Sequence, residues 1–164
     1  MQASHSLSWR GAHGGWYVVA QVSLIALVFF GPRTLPSLPS WSGTVGRVCS
    51  ILGAVLAIAG VAMLLAGLLR LGSNLSPLPY PKEHSNLVQS GPYSLVRHPM
   101  YSGGIALAFG WALFVQGWLT ILYALVLFAF LDIKASREER WLVERFSDYS
   151  EYQRRVRKLV PFVY

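Results

Sequence analysis

Four apolar blocks divide the chain. Residues 16–30 form the first, interrupted by Gln21 and Ser23. The second, 45–69, is long enough to cross roughly 30 Å of hydrocarbon with some tilt. The third and fourth, 100–115 and 118–133, are each short for a lone span, and the Gln116-Gly117 break between them reads as the turn of a helical hairpin. These are continuous blocks rather than amphipathic stripes, which predicts membrane helices and excludes an ordinary soluble core. The expected fold is an all-α integral membrane protein, about four transmembrane helices with a C-terminal amphipathic helical tail over 134–164, in a single domain 1–164. A cleaved signal peptide is the rival reading of 16–30, but no small-x-small cleavage site follows it, and a retained span is preferred.

The polar punctuation refines this picture. The first fifteen residues are polar and rich in Gly, His and Ser, and predict a loose start. Pro32, Pro36 and Pro39 keep the first connection from being one helix. In the second block Gly46, Gly53, Gly60 and Gly67 recur every seven residues, with Ser50 and Ala57 between them. At helical spacing these six make a small-residue seam, along which a neighbouring helix can approach closely. The longest polar connection, 70–99, carries Pro77, Pro79 and Pro81, and a connection of that length between spans is often functional. Beyond residue 134 charge alternates with Trp141, Leu142, Phe146, Tyr149 and Tyr152, as in a helix lying on the membrane or over the bundle.

Composition changes little in this reading, but charge orients it. The 164 residues are 54% hydrophobic and 13% charged, with net charge +7. Residues 134–158 hold eight of the fourteen Lys and Arg and five acids, a local net charge of +3. Mixed signs beside an apolar span suit a tail near anionic headgroups better than a nucleic-acid surface, so no nucleic-acid partner is expected. Four spans put the N-terminus, the 70–99 loop and the tail on one side, and positive charge makes that side cytoplasmic. The single Cys49 allows no internal disulfide. Asn74-Leu75-Ser76 fits a glycosylation sequon, but on the predicted cytoplasmic side it has no meaning.

Candidate chemistry gathers in two clusters. One is Gly91-Pro92-Tyr93-Ser94-Leu95-Val96-Arg97-His98-Pro99-Met100-Tyr101, immediately before the third span; the other is Arg137-Glu138-Glu139-Arg140, just after the fourth. If those spans form a hairpin, the clusters meet at its open end and build an interfacial pocket with an imidazole, a carboxylate pair and aromatic rings. Each element also has a plain structural reading. Arg97-His98-Pro99 suits flanking charge with a proline at a helix start, the two glutamates suit solvated helix positions, and the tyrosines suit an interfacial belt. No Ser-His-Asp set, metal-ligand spacing, phosphate loop or GxGxxG is visible, and no metal is expected. His5 and His13, in the polar start, are not candidate ligands.

The string GPYSLVRHPMYSGG, followed about forty residues later by REERWLVERFSDYSEYQRRVRKLVPF, resembles the isoprenylcysteine carboxyl methyltransferase family and its relatives, the integral-membrane phospholipid methyltransferases. The likeness covers residues 85–163 and keeps the order of both motifs. It implies S-adenosyl-L-methionine as cofactor, bound by Ser85, Asn86, Leu87, Val88, Tyr93, His98, Pro99, Met100, Tyr101 and the acidic pair Glu138 and Glu139. Glu138 suits the ammonium of the methionine moiety, Tyr93 and Tyr101 suit adenine or the sulfonium, and backbone near Leu87 and Val88 suits the adenine edge. Glu139 is better suited to orienting Arg97 or Arg140. The chain departs from the family at Ser147, where glycine is usual, with a gap to Tyr149 one residue shorter. It departs again at Lys134, where the eukaryotic prenylcysteine enzymes carry a substrate-associated arginine. Lysine keeps the charge there but loses the two-pronged grip on a carboxylate.

The resulting expectation is methyl transfer to a lipophilic small-molecule or lipid-modified acceptor, foremost O-methylation of an isoprenylcysteine-like carboxylate. Membrane lipids are the surrounding partners, and a homo-oligomer is left open. A carboxylate acceptor needs only a cation, for which Arg97 and Lys134 are candidates. An amine acceptor, as in phospholipid N-methylation, needs deprotonation, for which His98 is the nearest base. An NADPH-dependent membrane reductase of the sterol-reductase type and a non-catalytic scaffold are the readings from other classes.

Overall fold

The computed structural model describes residues 6–72 and 86–164, with α1 side chains from residue 15 onward. The described chain is helical: α1 (Ser6–Phe30), α2 (Gly43–Leu71), α3 (Pro99–Phe114), α4 (Trp118–Arg145) and α5 (Tyr149–Arg155), with a 3-10 turn at Gly91–Ser94 before α3. The helices pack in the order α1, α4, α3, α2, with the most extensive contact between α2 and α3. Each adjoining pair is antiparallel. One end of the bundle therefore collects the start of α1, the end of α2, the start of α3 and the end of α4.

Glycine explains the α2–α3 contact. Gly46, Gly53, Gly60 and Gly67 are the buried residues of α2. Opposite them lie Gly103 and Gly110 of α3. A Cβ on Gly60 would fall 2.5 Å from the Leu107 nitrogen, and one on Gly103 would fall 2.5 Å from the Leu64 nitrogen. Backbone thus meets backbone along the predicted seam. Ser50 adds a hydrogen bond to the Phe114 carbonyl, 3.1 Å away. The other face of α2 shows Ile51, Leu52, Val55 and Ile58 to the surroundings. That surface is too apolar and continuous for water, as expected of a membrane protein.

α2 and α4 are long and apolar enough to cross a membrane, whereas Gly15–Phe30 and Pro99–Phe114 are shorter apolar helices. The Gln116-Gly117 turn forms as predicted. Gln116 has a positive φ of 55° and its amide donates to the Gly46 carbonyl and to Ser50 Oγ, each at 2.9 Å.

Three boundaries differ from expectation. α1 begins at Ser6, so the expected loose start is helical there. α4 does not end at residue 133: no Gly or Pro interrupts 118–145, and the helix carries its charged turns straight on from the apolar ones. The expected continuous tail helix breaks at Phe146–Asp148, where Ser147 and Asp148 are poor helix formers. Burial of Tyr149 and Tyr152 then draws α5 away from the line of α4 and over the bundle end.

Candidate active site

The segment before α3 is held from both directions. Pro99 opens the helix, where its missing N–H costs no hydrogen bond. Val96 forms an isolated parallel bridge with Arg157. The Arg97 N–H donates to the Arg157 carbonyl at 2.8 Å, and the His98 N–H to the Lys158 carbonyl at 3.2 Å. Ser102 Oγ donates to the Leu159 carbonyl at 2.6 Å, and Tyr152 OH to the Tyr93 carbonyl at 2.5 Å. The tail is therefore a strap across residues 93–102.

Under that strap the two predicted clusters meet. His98 lies between the glutamates, its Nε2 3.1 Å from Glu139 Oε1 and its Nδ1 3.6 Å from Glu138 Oε2. A neutral imidazole can donate to only one of them. Glu139 is gripped by Arg97 through Nε at 2.7 Å and Nη2 at 3.2 Å, and accepts a third bond from Gln153 Nε2 at 2.9 Å. The Arg97 Nη1 group donates to the Gln153 carbonyl at 3.0 Å and also to the Val156 carbonyl. Arg97 and Glu139 thus serve to lock the strap onto α4, and the guanidinium is spent on internal partners.

Glu138 is placed differently. Tyr101 OH donates to its Oε1 at 2.5 Å, and the Tyr101 ring stacks on His98 with centroids 5.5 Å apart. Among the described residues no Lys or Arg lies within 4 Å of Glu138. One helical turn back on the same face, Lys134 is 4% exposed. Its Nζ donates to Gln21 Oε1 of α1 at 2.7 Å and lies 5.2 Å from the centroid of the Tyr101 ring. It too has no opposite charge within 4 Å among the described residues. Half-buried Glu138 and buried Lys134 therefore stand on one helix face with Tyr101 at both, and no contact within 4 Å joins them.

The remaining predicted residues divide. Tyr93 is buried in the 3-10 turn with its hydroxyl 3.5 Å from the Gly67 carbonyl. Burial, and then the charge of Glu138, push its phenol up to about 12. Pro99 and Met100 abut Gly67 at the end of α2. Leu87 lines a cleft of about 260 Å³ with Gln89, Arg145, Phe146, Ser147 and Asp148. Val88 is half-buried and Asn86 exposed, while Ser85 lies outside the described residues. Among those residues no three His, Cys, Asp or Glu converge as a metal site.

Sequence reasoning missed Gln153 and Gln21. Gln153 follows Tyr149 and Tyr152 on α5, and the spacing of those buried tyrosines was the available signal. Gln21 was visible as an amide inside an apolar span, which by itself marks an internal partner.

Fold and site together define a helical membrane protein with a buried acid–imidazole centre at the open end of a helical hairpin. The phospholipid methyltransferase family model matches residues 48–149, and the chain belongs to that family. It is similar to a protein-S-isoprenylcysteine O-methyltransferase of Saccharomyces cerevisiae, with 30% identity over 164 residues, 97% of this chain and 69% of that protein. It is similar to the protein of the same name from Schizosaccharomyces pombe, 36% identical over 50% of this chain and 35% of that one. A third relative is the cobalt-zinc-cadmium resistance protein CzcN of Cupriavidus metallidurans, 30% identical over 90% of this chain and 62% of that protein. The chain thus spans from about a third to about two thirds of these relatives' lengths.

Proposed function

We propose that the protein is an S-adenosylmethionine-dependent methyltransferase of the membrane, esterifying the carboxylate of an isoprenylcysteine-like lipophilic acceptor. The observation that carries this is that, among the described residues, Glu138 has no Lys or Arg and Lys134 no Asp or Glu within 4 Å, although the two stand one turn apart on α4. Glu138, with the Tyr101 hydroxyl on one oxygen, the His98 ring 3.6 Å from the other and no ammonium or guanidinium within 4 Å among the described residues, fits the positively charged methyl donor. Lys134, with a neutral amide as partner, fits the anionic acceptor. The bound donor supplies an electrophilic methyl group: a carboxylate oxygen forms the new C–O bond, the S–C bond breaks with its electron pair going to sulfur, and no proton moves. The chain's task is then alignment and exclusion of water, which the strap and the Tyr101 partition perform.

The cleft at Leu87 and Phe146 supports a place for the donor's remote end. Pro99 and Met100, turned to Gly67, act in this reading by fixing the start of α3. Four membrane crossings, by α1 to α4, with the site end cytoplasmic, complete the proposal, and the acceptor enters sideways from the bilayer. The family match speaks for methyl transfer over hydride transfer from NADPH or a scaffold role. Amine methylation needs a free base, and His98 has a carboxylate at each nitrogen, so the carboxylate reading is favoured.

Calorimetry on the detergent-purified protein with S-adenosylhomocysteine and with NADPH tests the cofactor. Binding of the first and not the second is expected, and the reverse would overturn the proposal. Native membranes given a radiolabelled methyl donor should carry label in the organic-extractable fraction, released by base as methanol. Base-stable label would indicate N-methylation instead.

A further inference from the structure

α1 lies outside the residues that the family model matches, yet it supplies polar side chains to the site end. Its residues Tyr17, Gln21, Leu24 and Val28 follow one another at helical spacing. Val28 and Leu24 belong to the apolar core with Leu127 and Leu131 of α4. The stripe turns polar where α4 turns basic. Gln21 Oε1 accepts from Lys134 Nζ at 2.7 Å. One turn earlier, Tyr17 OH accepts from Arg137 Nη1, and the Arg137 guanidinium carbon sits 5.6 Å from the Tyr17 ring centroid. Tyr17 is itself steadied by Phe130, with ring centroids 6.0 Å apart.

Two cations three residues apart on α4 are thus each held by an uncharged acceptor four residues apart on α1. Neither is neutralised within 4 Å by a carboxylate among the described residues. An amide oxygen and a phenol orient an ammonium or guanidinium without cancelling its charge, whereas Asp or Glu at either place would cancel it. Lys134 is buried, and a buried ammonium left uncancelled is costly unless an anion arrives to meet it.

We propose that Tyr17 and Gln21 are positioning residues, making of Lys134 and Arg137 a two-cation seat for the acceptor's carboxylate between α1 and α4. The inference rests on the methyltransferase reading above and deepens it. The free acid carries the charge that the seat holds and the methyl ester does not, so the seat prefers substrate over product.

The test uses the full-length protein in detergent, an N-acetylated S-prenylcysteine as acceptor and its methyl ester as product. In the wild type the acid should bind about tenfold more tightly than the ester. Gln21→Leu and Tyr17→Phe should each raise the KM for the acid about three- to tenfold, with kcat held within about twofold. Gln21→Glu, which places a carboxylate on the ammonium, should raise it by about tenfold or more. Ester affinity and S-adenosylhomocysteine affinity by calorimetry should stay unchanged in all three variants. Equal wild-type affinity for acid and ester, an unmoved KM, or parallel loss of acid and ester binding would overturn the seat, the last by showing a packing defect instead. Wild-type protein that binds no S-adenosylhomocysteine would overturn the methyltransferase reading itself. Wild-type protein that binds it and methylates the acid, beside variants with unmoved KM, would overturn this inference alone.

Discussion

Adding one carbon to α3 should have opposite effects at two neighbouring positions. Gly103 faces α2, and a Cβ there would lie 2.5 Å from the Leu64 nitrogen and 2.6 Å from the Gly60 oxygen. Both contacts are backbone, so no side chain can swing away. Restoring an ordinary contact needs the helices to part by about 1 Å, and a gap of that size forfeits a quarter to a half of each dispersion well it opens. The loss would spread along the seam, since Gly53 and Gly110 meet their partners just as closely. Overpacking of this kind costs about 1–3 kcal/mol, while alanine's better helix propensity returns up to about 1 kcal/mol. Gly103→Ala should therefore destabilise by about 1–2 kcal/mol net. Gly104 has nothing within 4 Å of its virtual Cβ, so Gly104→Ala keeps only the propensity gain.

Thermal unfolding in detergent, followed by helical circular dichroism, reads the difference. Gly103→Ala should melt below the wild type and Gly104→Ala at or above it. Equal melting temperatures would refute backbone contact as the basis of α2–α3 packing. Gly60→Leu offers a coarser check, since it should lower stability far more than Leu64→Ile.

Glu138→Gln should weaken S-adenosylhomocysteine binding by roughly 1.5–3 kcal/mol, the worth of a hydrogen bond to a charged group, and unchanged calorimetry in a folded variant would remove Glu138 from the cofactor site. Arg97→Ala leaves Glu139 in a partly buried place without its guanidinium; broken pairs of this kind cost about 3–5 kcal/mol, and limited proteolysis should then cut within 146–164 sooner than in the wild type. Burial pushes up the phenols of Tyr93, Tyr149 and Tyr152, so the folded state holds those protons longer than the unfolded chain. Their contribution to stability is complete below pH about 10 and declines as pH rises through the folded values, and Tyr93→Phe should flatten the loss between pH 10 and about 12 in alkaline melts.

The α2 seam was legible because spacing alone decides it: small residues at every helical turn leave one face on which backbone can be approached. The meeting of His98 with Glu138 and Glu139 was legible for a topological reason, since a hairpin closed at Gln116 brings its open ends together. The length of α4 was less so. A change from apolar to charged marks where water or headgroups begin, whereas only Gly, Pro or poor helix formers mark where a helix ends, and residues 118–145 contain no Gly or Pro. The division of labour within the acidic pair depended on the strap, because Arg97 finds Glu139 together with the carbonyls of Gln153 and Val156. Those carbonyls belong to residues more than fifty positions away, and no local pattern announces them. Gln21 was legible as an oddity, but only its contact with Lys134 gives it a role.

Lys134 and Glu138 stand one turn apart on α4 yet take different partners. On a helix, residues four apart are neighbours, and opposite charges there tend to pair. In a partly dry setting a contact at about 4 Å would be worth about 4 kcal/mol. Here each group has a better local geometry: the Tyr101 hydroxyl occupies Glu138, the Tyr101 ring faces Lys134, and Gln21 draws the ammonium toward α1. Tyr101 and Gln21 thus hold the two side chains in separate contacts. In the proposed reaction a positively charged donor meets Glu138 and a negatively charged acceptor meets Lys134, so the reactants are drawn to adjoining places by opposite fields. Tyr101→Phe should then weaken donor and acceptor binding together, because the freed carboxylate can swing onto Lys134. Calorimetry with S-adenosylhomocysteine and the acceptor KM report the two halves of that effect. Loss of donor affinity with an unmoved acceptor KM would reduce the Tyr101 hydroxyl to a simple hydrogen-bond donor to Glu138.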